Sequence, residues 1–206
     1  MFKNREDAGK QLADRLARYR VQDAVVLALP RGGVVVGYEV AKALCLPLDI
    51  VVVRKVGHPT DPEYAVCAVD EKGTLLCDKD ADTVDKQWLK QEIERQKKEA
   101  LRRIRAYRGE RKPEAVTGKT AILVDDGIAT GLTMRLAVMA VKKQHPKKIV
   151  IAVPVAPGSA VLEFQKEADV VLVEGTEEFS GSVGAHYQEF EQVGDNEVIS
   201  LLQAVL

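Results

Sequence analysis

Two adjacent acids, Asp125 and Asp126, close a wholly apolar run from Ala121 to Val124 and open the stretch Gly127-Ile128-Ala129-Thr130-Gly131-Leu132-Thr133. An apolar run of this kind reads as a strand buried on both faces. The loop that follows carries two glycines and two threonines and opens a helix. In parallel sheets, ligands bind outside the carboxyl ends of the strands, where such a loop lies. Backbone N–H groups in the loop and at the helix start suit a phosphate, and Thr130 and Thr133 add hydroxyl donors. Asp125 and Asp126 can accept from vicinal hydroxyls or steer a hydrated Mg²⁺. One loop can thus hold a sugar and its phosphate. A tight strand–helix turn with a capping Asp explains one acid, but not two acids followed by the Gly and Thr run.

Competing chemistries fail on spacing. A P-loop needs Lys after its last Gly, and here Leu132 follows Gly131. Gly118-Lys119-Thr120 has Pro113 at the required first Gly position and precedes a strand rather than a helix. No G-x-G-x-x-G fingerprint and no G-x-S-x-G elbow occurs. Asp125 and Asp126 are adjacent, whereas aspartyl-phosphate enzymes leave one residue between their acids. Cys45, Cys67 and Cys77 are too few and too scattered for a disulfide framework, and the three His lack zincin spacing. No apolar run reaches the length of a transmembrane helix, and the polar start from Met1 to Lys10 has no secretory core. A reducing cytoplasm is the expected setting. With 30 Lys and Arg against 31 Asp and Glu, net charge gives no global signal for nucleic acid.

The elements that must position the motif follow from periodicity. Arg5 to Arg20 reads as an amphipathic helix, and Ala24 to Leu29 as a buried strand broken by Pro30-Arg31-Gly32-Gly33. Val34 to Leu44 is helical and Leu48 to Val53 a second buried strand. Tyr64 to Val69 and Thr74 to Cys77 flank Asp70-Glu71-Lys72-Gly73, which predicts a hairpin. Thr120 to Val124, Lys148 to Val153 and Val170 to Val173 are further strands. Leu132 to Gln144, Ser159 to Glu167 and Asn196 to Leu206 are helices. Strands alternating with helices predict a single α/β domain over residues 1–206, with a mostly parallel sheet flanked by helices. A hairpin and basic helical flap is inserted at 72–115, and a small hood or tail occupies 175–206.

The basic segment stands apart. Asp85 to Lys112 holds 11 Lys or Arg against 5 Asp or Glu, a net of +6, so the remaining chain carries −7. Leu89, Ile93, Ala100, Ile104 and Tyr107 form one narrow stripe, interrupted at Gln96 and Lys97. A face so thin predicts a poorly anchored helix: a solvated surface element, or a flap drawn to an anionic ligand. Aromatic residues beyond Trp88 and Tyr107 are missing from it, which disfavours a nucleic-acid arm.

The stretch from Val124 to Thr133 resembles the signature of type I phosphoribosyltransferases, two acids followed by a loop ending T-G-x-T. These enzymes bind 5-phosphoribosyl 1-pyrophosphate (PRPP). The resemblance implies that Asp125 and Asp126 contact the ribose hydroxyls and that Gly127, Ile128, Ala129, Thr130, Gly131 and Thr133 cradle the 5-phosphate. Leu132 departs from members with a second Gly there, at a helix start that tolerates a side chain. Leu29-Pro30-Arg31-Gly32-Gly33 is similar to the family's pyrophosphate loop. Asp49 to Lys55 looks like the strand whose end offers basic residues, Arg54 and Lys55, to PRPP. Glu63 to Gly73, with the basic helix after it, sits where members carry a mobile loop. The resemblance covers roughly Ala24 to Val155.

It further implies displacement of pyrophosphate from PRPP by a nitrogen acceptor, a nucleobase or related base. Arg31, Lys55, Asp125 and Asp126 are the expected catalytic residues. Mg²⁺ is the expected cofactor, held near Asp125 and Asp126 through PRPP and water. Some relatives place an acid just before the loop Thr; Ala129 stands there, so any general base must come from the hood. Phe179, Tyr187 and Phe190 are candidates to stack on a base, with core packing the commoner role for each. His186 reads as a surface or hydrogen-bonded residue rather than a base. A homodimer is the default expectation. The alternative reading is a PRPP-sensing regulator without turnover, its basic segment touching RNA or DNA.

Overall fold

The computed structural model describes residues 1–175 and 182–205. In chain order the elements are α1 (Arg5–Arg15), β1 (Ala24–Ala28), α2 (Gly32–Leu44), β2 (Leu48–Ile50), β3 (Val53–His58), β4 (Asp61–Asp70), β5 (Leu75–Cys77), α3 (Lys86–Arg108), β6 (Thr120–Val124), α4 (Leu132–Lys142), β7 (Lys148–Val155), α5 (Gly158–Phe164), β8 (Val170–Gly175) and α6 (Asp195–Ala204).

The five strands β2-β1-β6-β7-β8, in that spatial order, form a parallel sheet. Strand parity divides its side chains between two cores. Val26, Ala28, Ile122, Val124 and Val150 face α1, α2 and α6. Val25, Leu27, Ala121, Leu123 and Ile151 face α4 and α5. Both faces are covered, so the strands read as unbroken apolar runs rather than alternating ones. The chain leaves β1 for β2 on one side and returns to β6 on the other. That reversal opens a crevice at the carboxyl ends of β1 and β6, the place where such sheets bind ligands.

The run from Leu48 to Val53, expected as one strand, serves two sheets. β2 ends at Ile50, and Val53 begins β3 of a separate antiparallel sheet in the order β3-β4-β5. An apolar run cannot itself report that its pairing partner changes halfway. The hairpin about Asp70 to Gly73 forms as expected: the Asp70 carboxylate accepts from the N–H groups of Lys72 and Thr74 at 2.9 and 2.7 Å, and Gly73 takes φ +84°. Residues 63–73, expected at the position of a mobile loop, are strand β4 and this turn. The three cysteines, too few for a framework, do include one bonded pair. Antiparallel register sets Cys67 directly opposite Cys77, and the two form a disulfide with Cα atoms 4.0 Å apart.

Residues 85–112, expected as a loosely held flap, contain a 23-residue helix pinned along its length. Asp85 caps it, accepting from Trp88 N–H at 2.8 Å. Trp88, Leu89 and Ile93 pack on Val56, Val66 and Val69 of the small sheet. Ala100 and Tyr107 enter the main core. Where the apolar stripe breaks, Gln96 is itself buried, and so is Arg103. Arg108 ties the helix end to the buried Asp49 of β2 at 3.1 Å. The stripe looked thin because two of its positions are polar residues that are satisfied inside. The closing helix α6 packs on α2 and α3. No described helix is long and apolar enough to cross a membrane.

Candidate active site

The crevice is lined by the β1–α2 and β6–α4 turns, joined by the Leu29 N–H donating to Val124 O at 2.9 Å. Five buried residues of β6 deliver Asp125 and Asp126 to its rim. Ile128 fastens the loop from beneath: its side chain is buried and its N–H donates to Val155 O at 2.9 Å. Ala129 and Thr130 are left exposed at the tip, and Gly131, at φ +79°, turns the chain into α4. Thr133 is half-buried in the first turn of that helix. The loop thus presents Ala129 and Thr130 as an exposed tip above a helix N-terminus.

The two turns meet at the acids. A Cβ built on Gly32 would collide with the Asp126 carboxylate, and one on Gly33 would lie 2.8 Å from Asp125 Oδ1 and 2.9 Å from Asp125 Cα. Only glycine allows the β1 turn to approach that closely. Arg31 sits beside them, with a cis peptide joining it to Pro30. The structure brings Gly32 and Gly33 against Asp126 and Asp125, with Arg31 the residue before them in the chain.

Asp126 has partners that no sequence spacing announced. Arg5, the first residue of α1, donates from Nε to Asp126 Oδ2 at 2.7 Å, donates again to Glu191 O at 2.8 Å, and lies 3.7 Å over the Phe190 ring. The Tyr187 hydroxyl donates to Asp126 O at 2.6 Å. Phe2 exchanges backbone hydrogen bonds with His186 and Gln188, which zips the first residues to the tail below the site. Tyr187 is therefore packed between Phe2 and Phe190 rather than offered to a base. Phe179 lies outside the described residues. Burial pushes the Tyr187 hydroxyl well above its ordinary range, so it stays a proton donor.

Burial, then the charge of Asp126, drives the Asp125 carboxyl well above the usual carboxylate range. Burial also raises Asp126, against the opposing pull of Arg5. The two acids, with one arginine beside them, resist carrying two full charges and are relieved by hydrogen-bond donors. A vicinal diol supplies such donors.

The cations gather elsewhere. Arg54 and Lys55 are neighbours on β3 and so face opposite sides of the small sheet, both half-buried. Arg54 donates to Gln96 Oε1 of α3 at 3.0 Å. Arg31 reaches Asp195, at the start of α6, with 3.7 Å between charged atoms. Asp195 also accepts from Arg102 at 2.9 Å and from the Tyr107 hydroxyl at 2.6 Å. Glu99 accepts from Arg102 and Arg103 at 2.7 and 2.8 Å, bonds that hold its carboxyl down to about 2. Arg103, Glu99, Asp195 and Arg5 were missed by sequence reading. The one signal for Arg103 was its spacing from Ala100 and Tyr107, a stripe position filled by a charge.

Among the described residues no cluster of three or more His, Cys, Asp or Glu could cage a metal. Two adjacent carboxylates instead fit a hydrated Mg²⁺ bound chiefly through substrate oxygens, the usual way that Mg²⁺ is held at phosphate sites.

The phosphoribosyl transferase domain family model matches residues 3–189. Two provisionally named phosphoribosyl transferases of Mycobacterium tuberculosis, from strains H37Rv and CDC 1551, are 41% identical over 98% of this chain. The chain spans about half the length of these relatives, 46% of each. The crystal structure of TT1426 from Thermus thermophilus is 41% identical, with TM-score 0.79 over 98% of both chains. The AQ2163 protein of Aquifex aeolicus shares the fold at 12% identity, with TM-score 0.52 over 98% of this chain and 86% of that one.

Proposed function

Because the chain belongs to the phosphoribosyl transferase family, we propose that it transfers the 5-phosphoribosyl group of PRPP to a nitrogen acceptor, a nucleobase or related base, and releases pyrophosphate. The observation that carries this is the meeting of Gly32 and Gly33 with Asp125 and Asp126 at the switch point of the sheet. It sets an acid pair and the loop after it beside an arginine-bearing turn. A sugar with a phosphate at one end and a pyrophosphate at the other matches that sequence of surfaces.

In this reading the 5-phosphate rests on the backbone of residues 127–131 and the hydroxyls of Thr130 and Thr133. Asp125 and Asp126 accept from the ribose 2- and 3-hydroxyls, and Arg5 and Tyr187 hold Asp126 in place for it. The bond from C1 to the pyrophosphate oxygen breaks with its electron pair leaving on pyrophosphate. The acceptor nitrogen forms the new bond to C1 and gives up its proton. The transition state resembles an oxocarbenium ion, so the protein works by position and charge. Arg31 and its neighbouring cations neutralise the leaving group. Mg²⁺, when bound with PRPP near Asp125 and Asp126, supplies further charge neutralisation to the pyrophosphate. Ala129 supplies no base, so the acceptor's proton goes to solvent or to a group outside this loop. The expectations of a dimer and a cytoplasmic setting stay with this reading.

The test is pyrophosphate release from PRPP and Mg²⁺ in the presence of purine and pyrimidine bases, alongside calorimetric binding of PRPP. Binding with release for one base supports the reading and names the acceptor. Binding with no release for any base turns it into a PRPP sensor. No binding of PRPP overturns it.

A further inference from the structure

A second concavity lies apart from the crevice. It encloses ≈ 300 Å³ between the β2 edge of the parallel sheet, the Asp70 to Thr74 turn of the small sheet, and the ends of α3 and α4. None of the residues that line it belongs to the β1–α2 or β6–α4 turn. Leu27, Val51, Val52 and Val116 give it an apolar wall. Part of that wall, Ile50 to Val52, is the crossing from the parallel sheet to the small one, just before Arg54 and Lys55.

The polar part of the lining is acidic and only partly answered. Asp49 and Asp70 are both buried, at 6% and 3% exposure. Asp49 is satisfied by Arg108 and by the N–H groups of Ile50 and Glu114. Asp70 is satisfied on one oxygen. Its Oδ1 accepts from the Lys72 and Thr74 N–H groups, while its Oδ2 accepts from no described residue and pairs with no described cation. That oxygen is not among the fully sealed, unpartnered side-chain atoms, so it opens onto the space that Asp70 lines. Glu71 and Glu114, half-buried in the same lining, form no ion pair among the described residues. Arg108 is engaged with Asp49, and Lys72 and Lys143 stand exposed at the rim. A carboxylate removed from water gains from any donor that reaches it. Among the described residues no three acids converge to cage a metal ion, so the fitting cation is one carried on a carbon body.

We propose that this cavity is a binding site for a small organic amine, protonated at neutral pH, whose ammonium donates to Asp70 Oδ2 and whose carbon body lies against Leu27, Val51, Val52 and Val116. The volume is at the lower end of small-ligand sites, which suits one compact molecule. An ammonium brings donors and charge to a place where low dielectric raises the worth of both. A neutral alcohol of the same shape gains the apolar contact and one weaker bond. The inference does not rest on the PRPP reading, because no crevice residue takes part in it.

The experiment is a ligand-observed NMR titration of the full chain with two probes, benzylamine and its neutral counterpart benzyl alcohol. Benzylamine is expected to bind about tenfold or more tightly than the alcohol, the worth of a hydrogen bond to a charged group. Asp70→Asn keeps the Oδ1 acceptor that the turn needs and removes the charge. It is expected to weaken benzylamine by about tenfold or more and to leave benzyl alcohol within about twofold. Ala140→Leu, which adds bulk to the lining from α4, is expected to weaken both probes. Asp125→Asn with Asp126→Asn is expected to leave benzylamine within about twofold. No binding of benzylamine, equal affinities for the two probes, or a benzylamine affinity unchanged by Asp70→Asn overturns the proposal. Binding that ignores Ala140→Leu lies outside the cavity, and binding lost with the Asp125 and Asp126 changes lies in the crevice; either result overturns it too. Should Asp70→Asn fail to fold, the probe pair and the Ala140→Leu variant decide. Failure of PRPP to bind leaves this proposal standing, and its own failure leaves the PRPP reading untouched.

Discussion

The two sides of the crevice are built in opposite ways. On one side, Asp125, Asp126 and the loop after them are a single peptide, seven residues from Asp125 to Gly131, held by one strand and one helix. Two carboxylates there answer to one arginine. On the other side, four arginines answer to two carboxylates, and they come from a turn, a strand of a second sheet and a long helix, with α6 contributing one of the acids. One side has an excess of negative charge and the other of positive. A ligand whose hydroxyls donate at one end and whose phosphates accept at the other relieves both. Chemistry that depends on backbone geometry is local in sequence. Chemistry that depends on summed charge can be gathered from anywhere.

Separating the two sides by substitution tests that contrast. The largest effect is expected from Asp125→Asn and Asp126→Asn together. PRPP and ribose 5-phosphate should each weaken at least tenfold, about 1.4 kcal/mol, while pyrophosphate stays within about twofold. Calorimetry with all three ligands reads this, and unchanged PRPP affinity would remove the ribose assignment from the acid pair. Arg31→Ala should do the reverse. Turnover should fall about fivefold, roughly 1 kcal/mol, with ribose 5-phosphate affinity unaltered. Equal losses would mean that the Pro30 to Gly33 turn serves the whole site or its folding.

A third effect is on stability and has a defined sign with pH. The folded Asp125 carboxyl titrates above its unfolded value of 3.8, so the folded state favours the proton. That contribution is complete below the unfolded value and is lost as pH rises through the folded one. Asp125→Asn has no such titration. It should therefore exceed the parent in stability by roughly 1 kcal/mol at pH 7, the low end of the cost of an ill-compensated buried charge, and the gap should close toward pH 4. Urea unfolding at the two pH values decides, and a gap that widens in acid would contradict the assignment. The smallest effect is expected from Tyr187→Phe. It deletes the bond to Asp126 O and should cost about 0.5–1.5 kcal/mol of stability with little change in pyrophosphate affinity.

The same division explains what the sequence made legible. The parallel sheet was readable because strands covered on both faces are almost wholly apolar, as β1 and Ala121 to Val124 of β6 are. The acid loop was readable because its residues are consecutive. The second sheet was only half seen. Leu48 to Val53 gives no sign that its pairing changes after Ile50, and the turn from His58 to Asp61 lacks a glycine like the one that closes Asp70 to Gly73. The anchoring of α3 was misread because Gln96 and Arg103 are polar residues in buried stripe positions. Arg5 could not be found at all, since its place beside Asp126 depends on how α1 packs across the sheet.

The zip between Phe2 and Tyr187 has a consequence for the order in which the protein is made. Arg5 holds Asp126 with one nitrogen and the backbone of Glu191, 186 residues further along the chain, with another. A ribosome releases α1 before β7 and β8, the strands it packs against, have been synthesised. Helix α2, on which α1 packs most extensively, follows soon after it, and only the part of α1 that meets β7 and β8 waits for those strands. The acid side of the crevice acquires its final geometry only after the tail emerges. The ties that Arg5 and Tyr187 place on Asp126 thus form only after residues 187–191 have left the exit tunnel.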